Sequence, residues 1–335
     1  NDNCDKIDLK TIEYLDKDGD MELSKKHHDI LYEKSKGYVS YLRGENPYTF
    51  PYRLYPQKNI CKEFKKDIFG EDYLDKPVKF LELYGSNVTK NKKQYNVYYN
   101  ELLNLGESYS IPIDVETKLL QLSNCVYPVD SDNIEDVYGE NGINNCFNKL
   151  SNKYTYKKNI PNFLDLDLLR DYSSKIYSII TEINNSEGIV FIYSNFLAGG
   201  ILPLVLALEQ NGYAKYDGKT VLKSNTKRDP INYKGERGKN KIPAKYMVVA
   251  GNSLKMTNDF KKELKIVTDP DNSDGSDIKI IIGSSVAAEG LDFKNIRAIH
   301  LLEPWHNINK LEQVIGRGIR NCSHAALTNE KQNIT

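Results

Sequence analysis

A chain of 335 residues exceeds one typical domain, so two structural units are expected. Lys plus Arg balance Asp plus Glu at 46 each, which excludes a uniformly basic nucleic-acid coat but leaves room for a local basic groove. The longest apolar run, Ile201–Leu208, is far too short to cross a bilayer, and the five scattered cysteines suit a reducing compartment better than a disulfide framework.

The first 165 residues are rich in Tyr, Lys and Asn, with weak periodicity and many turn signals. DKDGDMEL (Asp16–Leu23) resembles a calcium loop, yet the Gly and Glu required at positions six and twelve are Met21 and His27. It reads as an acidic turn connecting helices. VKFLELY (Val78–Tyr84) and QYNVYYNELL (Gln94–Leu103) read as two strands that pair.

From residue 166 onward, strands and helices alternate. Leu168–Ile183 has apolar residues at helical spacing. GIVFIYSN (Gly188–Asn195) is a short apolar strand closed by polar residues, and the following segment has helical length and stops at Gly212. The loop Lys215–Lys245 carries many more basic than acidic residues; a solvated loop is the default reading and a phosphate-tracking loop the alternative. GYAKYDGKT (Gly212–Thr220) has five residues between its glycines where a P-loop needs four, and it follows a helix rather than a strand. It reads as a surface turn. Lys245–Gly251, Ile278–Ser285 and Arg297–Pro304 are further strands, whose continuous apolar character predicts a parallel sheet covered on both faces. Ile308–Arg320 reads as the helix after the last strand. The predicted class is therefore α/β, a parallel sheet flanked by helices and preceded by an α+β region.

On that last helix, Gln313, Arg317 and Arg320 stand at i, i+4 and i+7, one stripe about 10 Å long. Gly316 and Gly318 interrupt it, each costing about 1 kcal/mol relative to Ala, as close approach of a backbone or ligand would require. Guanidiniums bind phosphate bidentately; a surface helix with two solvated arginines is the plain alternative. SSVAAEGLDF (Ser284–Phe293) begins where a strand ends, and IYSN ends another, so polar groups are expected to converge on one edge of the sheet.

Together, YSN (Tyr193–Asn195), SSVAAEGLD (Ser284–Asp292) and QVIGRGIR (Gln313–Arg320) resemble the fourth, fifth and sixth motifs of the second RecA-like domain of superfamily 2 helicases. Longer stretches, among them LEPWHNINKLEQVIGRGIRNCSH (Leu302–His324) and LSNCVYP (Leu122–Pro128), resemble helicase-like nucleoside triphosphatases of nucleocytoplasmic large DNA viruses. The resemblance implies that residues 1–57 are a linker or the tail of a first RecA-like domain. It makes 58–165 a family-specific insertion and 166–335 the second RecA-like domain. Arg317 and Arg320 would be arginine fingers, with Gln313 sensing the γ-phosphate of ATP. Gly290, Asp292 and Gly316 would border the nucleotide, and Ser194, Asn195 and Ser284 would hold a nucleic-acid backbone. Glu289 and Ser285 depart from the arginine and aspartate common in the fifth motif. No P-loop and no Asp-Glu dipeptide occur, so ATP and Mg²⁺ would be held mainly by a separate first RecA-like domain. The expected activity is an ATP-dependent helicase or translocase in viral transcription or genome handling, of which this chain is a fragment. The expected partners are DNA or RNA, that other domain and a viral RNA polymerase, with no membrane. The location would be the virion and the host cytoplasm. The alternatives are a non-catalytic RecA-like scaffold and a Rossmann-type enzyme, the latter lacking its glycine-rich turn.

Overall fold

The computed structural model describes residues 14–17, 20–23, 28–30, 32–33, 50–54, 86–105, 111–250, 260–284, 291–304, 308–320, 322–328 and 333–334. The chain divides into two compact units, residues 1–46 and 47–335. In the first, Tyr14–Lys17 and Asp20–Leu23 pair antiparallel with Asp16 opposite Met21 and Lys17 opposite Asp20. The acidic stretch is thus a hairpin and not a helix-connecting turn. The Asp18–Gly19 dipeptide between the strands is a strong hairpin signal in its own right.

The second unit is built on five parallel strands: β1 (Ile189–Tyr193), β2 (Ala214–Lys215), β3 (Lys245–Val249), β4 (Ile280–Gly283) and β5 (Ile296–Leu301). Their spatial order is β5-β1-β4-β3-β2. Every residue of β1 and β4 is buried, because helices cover both faces. Val190, Ile192, Val248, Ile280 and Ile282 face one cluster with Ile176, Ile180 and Leu204. Phe191, Tyr193, Met247, Val249 and Ile281 face the other with Val267 and Val314. The α/β expectation holds: a parallel sheet flanked by helices, as in RecA-like folds.

The helices in chain order are α1 (Lys93–Leu105), α2 (Ile113–Asn124), α3 (Gly139–Cys146), α4 (Leu166–Tyr172), α5 (Ser174–Asn185), α6 (Leu202–Gln210), α7 (Phe260–Val267) and α8 (Ile308–Ile315). Three differ from the sequence reading. The expected strand at 94–103 lies inside α1, and Val78–Tyr84 falls outside the described residues. The β-branched and aromatic content suggested a strand, but Gln94, Val97, Tyr98 and Glu101 recur at three- and four-residue spacing and face inward. Gln94 donates to the carbonyls of Leu122 and Ser123 at 3.2 and 3.0 Å and accepts from Ser174 N at 2.9 Å. The single helix expected over 168–183 is split at Ser173, whose hydroxyl caps α5 by accepting from Ile176 N at 3.1 Å. The last helix ends at Ile315, five residues early, where Gly316 and Gly318 open a turn. α6 is preceded by a wide turn, Leu197–Ile201, and is buried along its whole length.

At the amino edge of the sheet Lys279 is 1% exposed, and its ammonium donates to Ser186 O. Burial lowers its pKa from the usual 10.5 to about 8. Between pH 8 and 10.5 the unfolded chain therefore holds the Lys279 proton more often than the folded chain, and this residue's contribution to stability rises with pH. Lys279→Met is expected to remove about 1–3 kcal/mol of that rise. The check is the difference in denaturation free energy between the two proteins from pH 7.5 to 9.5. Taking the difference cancels the opposing titrations of buried groups such as Cys125, whose thiol burial pushes up. An unchanged pH slope would refute the assignment.

Candidate functional site

The predicted residues gather at two places, on opposite edges of the sheet. At the carboxyl edge, β1, β4 and β5 end side by side, with Tyr193 paired to both Gly283 and Leu301. The chain leaving β1 is Ser194–Asn195 and the chain leaving β4 starts with Ser284. Ser194 is 1% exposed: its hydroxyl donates to Glu303 at 2.6 Å, and its N–H to Gly283 O at 3.1 Å. Ser284 is also buried, its N–H donating to Val249 O at 3.0 Å. Asn195 is half-buried; its Oδ1 accepts from Tyr193 OH at 2.9 Å, and its Nδ2 meets no partner.

Glu303 organises this edge, and sequence reasoning missed it. It follows β5, is fully buried, and accepts from Ser194 Oγ, from Asn195 N at 2.9 Å and from Asn124 Nδ2 at 2.6 Å. Burial raises its pKa above the usual glutamate range, against the pull of these donors. Asn124, at the end of α2, also donates to Gly199 O at 3.1 Å and accepts from Lys175 Nζ at 3.1 Å. Lys175 donates to Ser123 Oγ at 2.7 Å, and burial lowers its pKa to about 8. A Cβ on Gly200 would stand 2.0 Å from Ser194 Oγ and 3.2 Å from Glu303 Oε1, so the wide turn before α6 passes here only as glycine. The available signal was Glu303 itself, a carboxylate closing the apolar run LLEP.

The arginines lie elsewhere. α8 starts beyond the carboxyl edge and runs back along the sheet, so the turn after it reaches the amino end of β5. Arg317 O accepts from Phe293 N at 3.3 Å. A Cβ on Gly318 would press on Ile334, Ile299 and Ile296 at 3.0–3.3 Å. Arg320 Nε lies 3.0 Å from Asp292 Oδ1, with both side chains substantially exposed. Gln313 is exposed on the last turn of α8, and Gly316 N donates to Glu312 O at 2.8 Å. Gln313, Arg317 and Arg320 therefore do not form one helical stripe; Gln313 is on the helix and the arginines are on the turn. Gly290 lies outside the described residues. The single edge expected from sequence is corrected to two, separated by the length of β5, about 20 Å. Ser284 stands at the carboxyl edge and Asp292 at the amino edge.

The basic loop Lys215–Lys245 is largely committed within the chain. Lys215 pairs with Asp217 at 2.6 Å, Lys227 with buried Glu209 at 3.0 Å, and Arg228 with Asp165 and Asp167. Arg237 donates to Asn211 O at 3.0 Å. The solvated-loop reading also misses this, since these pairs pin the loop to α4 and α6. Among the described residues, no three His, Cys, Asp or Glu side chains cluster as a metal site requires, and no helix is long and apolar enough to cross a membrane.

Comparison with known proteins agrees with the motifs. Residues 205–322 match the helicase conserved C-terminal domain. A protein of Acanthamoeba polyphaga mimivirus named as an ATP-dependent RNA helicase is 29% identical over 310 residues, covering 92% of this chain and 43% of that protein. A helicase named from invertebrate iridescent virus 3 is 30% identical over 218 residues, 64% of this chain and 20% of its own length. A termination factor NPH-I homolog of African swine fever virus is 31% identical over 179 residues, 48% of this chain and 25% of its own length. The chain thus spans less than half the length of these relatives.

Proposed function

From the premise that this chain carries a helicase C-terminal domain of the kind found in large DNA viruses, we propose that it is one lobe of an ATP-driven helicase or translocase acting on DNA or RNA. The observation that carries this reading is the placement of Arg317 and Arg320 on a half-buried, backbone-tethered turn at the amino edge, with Asp292 beside Arg320. Two guanidiniums there suit the γ-phosphate of ATP bound on a separate N-terminal RecA-like domain, where they would offset charge in the transition state. Gln313 and Gly316 would border the same cleft. Mg²⁺ would be held by that other domain together with the phosphates.

The carboxyl edge would follow the nucleic-acid backbone. Asn195 is half-buried and its enclosed Nδ2 has no hydrogen-bond partner, so a rotation of this side chain would bring a free donor to a phosphate oxygen. Ser194 and Ser284 act there by shaping the strand ends, since their side chains face inward. The relative named as a termination factor supports a role in viral transcription or genome handling, in which a viral RNA polymerase would be the partner.

The test compares two proteins: this chain alone, and the chain joined to its N-terminal RecA-like domain. The joined protein is expected to hydrolyse ATP faster when DNA or RNA is added, and the chain alone to hydrolyse none. Robust ATP turnover by the chain alone, lost in Arg317→Ala, would refute the half-site. A joined protein that binds nucleic acid without ATP turnover would favour a scaffold.

A further inference from the structure

The turn carrying Arg317 and Arg320 is tied to β5 by the next two buried residues that the structure describes, Ser323 and His324, at 4% and 2% exposure. The Ser323 hydroxyl lies 3.1 Å from Gly318 O, 3.3 Å from Arg320 N and 3.0 Å from His324 Nδ1. Its backbone bonds on both sides, accepting from Asn295 N at 2.8 Å and donating to Arg320 O at 3.1 Å. His324 Nε2 lies 2.6 Å from Ile296 O, in the first residue of β5. A carbonyl only accepts, so Nε2 carries the proton and the neutral ring's Nδ1 accepts from Ser323. The imidazole thus spans from the strand to the serine; with its one hydroxyl proton given to the ring, the serine holds the turn at Arg320, accepting from Arg320 N and donating its own N–H to Arg320 O.

This tie matters because the turn contains Gly316 and Gly318, which leave its backbone more conformational freedom than any other pair would. A guanidinium serving a transition state must be held to a fraction of an ångström, and a 1 Å error costs about 10²-fold in rate. We propose that Ser323 and His324 are positioning residues that hold Arg317 and Arg320 in register with β5, so that the arginines are preorganised before ATP arrives. This rests on the reading of those arginines as ATP-facing, and it adds two residues that touch neither nucleotide nor nucleic acid.

The experiment measures nucleic-acid-stimulated ATP turnover by the protein containing both RecA-like domains. His324→Ala is expected to lower kcat about tenfold with KM for ATP nearly unchanged. His324→Gln, which can restore a donor to Ile296 O, recovers most of the rate. Ser323→Ala, a smaller lesion that spares folding, lowers kcat in the same direction. The decisive arm repeats His324→Ala and Ser323→Ala in an Arg317→Ala/Arg320→Ala background. There each should change turnover less than twofold, because the groups they position are gone. An equal drop in both backgrounds, or no drop in either, overturns the proposal. If the double arginine variant itself keeps full turnover, the reading of the arginines fails first, and this inference falls with it.

Discussion

Arg317→Ala, made in the protein that contains both RecA-like domains, is expected to lower nucleic-acid-stimulated ATP turnover about a thousandfold, the effect of losing an arginine finger. ATP binding should change far less, because on the proposed reading the ground-state contacts to the triphosphate would belong to the other domain. The size follows from the chemistry. A guanidinium stays charged at any working pH and offers paired donors to equatorial oxygens whose charge grows only in the transition state. Arg317→Lys should recover little, since an ammonium on a flexible stem cannot reproduce the fork. Arg320 starts from a different state, 3.0 Å from Asp292 with side chains 42% and 60% exposed. So exposed a pair contributes at most about 1 kcal/mol, so Arg320 can exchange Asp292 for a phosphate at little cost. Steady-state kcat and KM for ATP at saturating nucleic acid check the prediction; a drop of less than tenfold for Arg317→Ala would count against it.

The second large effect is on stability. Glu303→Ala should destabilise the 47–335 unit by about 3 kcal/mol or more, a loss of roughly 6–12 °C in Tm. Ser194 Oγ, Asn195 N and Asn124 Nδ2 lose this acceptor at once, leaving Ser194 Oγ only Phe196 O at 3.2 Å and Asn124 Nδ2 only Gly199 O at 3.1 Å. Each unsatisfied buried donor costs about 1–3 kcal/mol, partly relieved by water entering the gap. Glu303→Gln keeps one acceptor oxygen but turns a donor toward donors, so it should recover only part of the loss. Thermal melts of the three proteins give the ranking; equal melting temperatures for Glu303→Ala and the parent would show that the network contributes nothing. The same network joins residues 123–124, which lie outside the strand–helix alternation, to the sheet. Asn124 and Lys175 tie the end of α2 and the start of α5 to the carboxyl edge of the sheet.

What sequence reveals and what it hides divides along physical lines here. β1, β3, β4 and β5 were legible because a strand buried on both faces reads as an unbroken apolar run, as in IVFIY and IIIG. The resemblance to helicases was legible because the order and spacing of YSN, SSVAAEGLD and QVIGRGIR are specific, and residues 205–322 match the helicase conserved C-terminal domain. α1 was misread because its tyrosines and valine have strand propensity, and its most buried side chain is a polar one, Gln94, satisfied by backbone carbonyls of a distant segment. The split at Ser173 was hidden for the same reason: its hydroxyl serves a cap and the carbonyl of Asn124, and only the second is nonlocal. The division of the motifs between two edges could not be read from spacing. It depends on α8 running antiparallel to β5 and stopping at Ile315, so that the arginines return to the end from which β5 started. Glu303 was not singled out from the sequence, and only the fold shows it enclosed by Asn124 and Ser194.

The central claim is that Arg317 and Arg320 form half of an ATP site completed by another domain. The measurement that meets it most directly is a structure of the two-domain protein with nucleic acid and ADP–aluminium fluoride, read at the guanidinium nitrogens. Arg317 is expected within hydrogen-bonding distance of the fluorines, about 3 Å, with Arg320 released from Asp292 toward the same group. Arginines still on their own lobe, Arg320 on Asp292 and the transition-state mimic bound without either, would contradict the account.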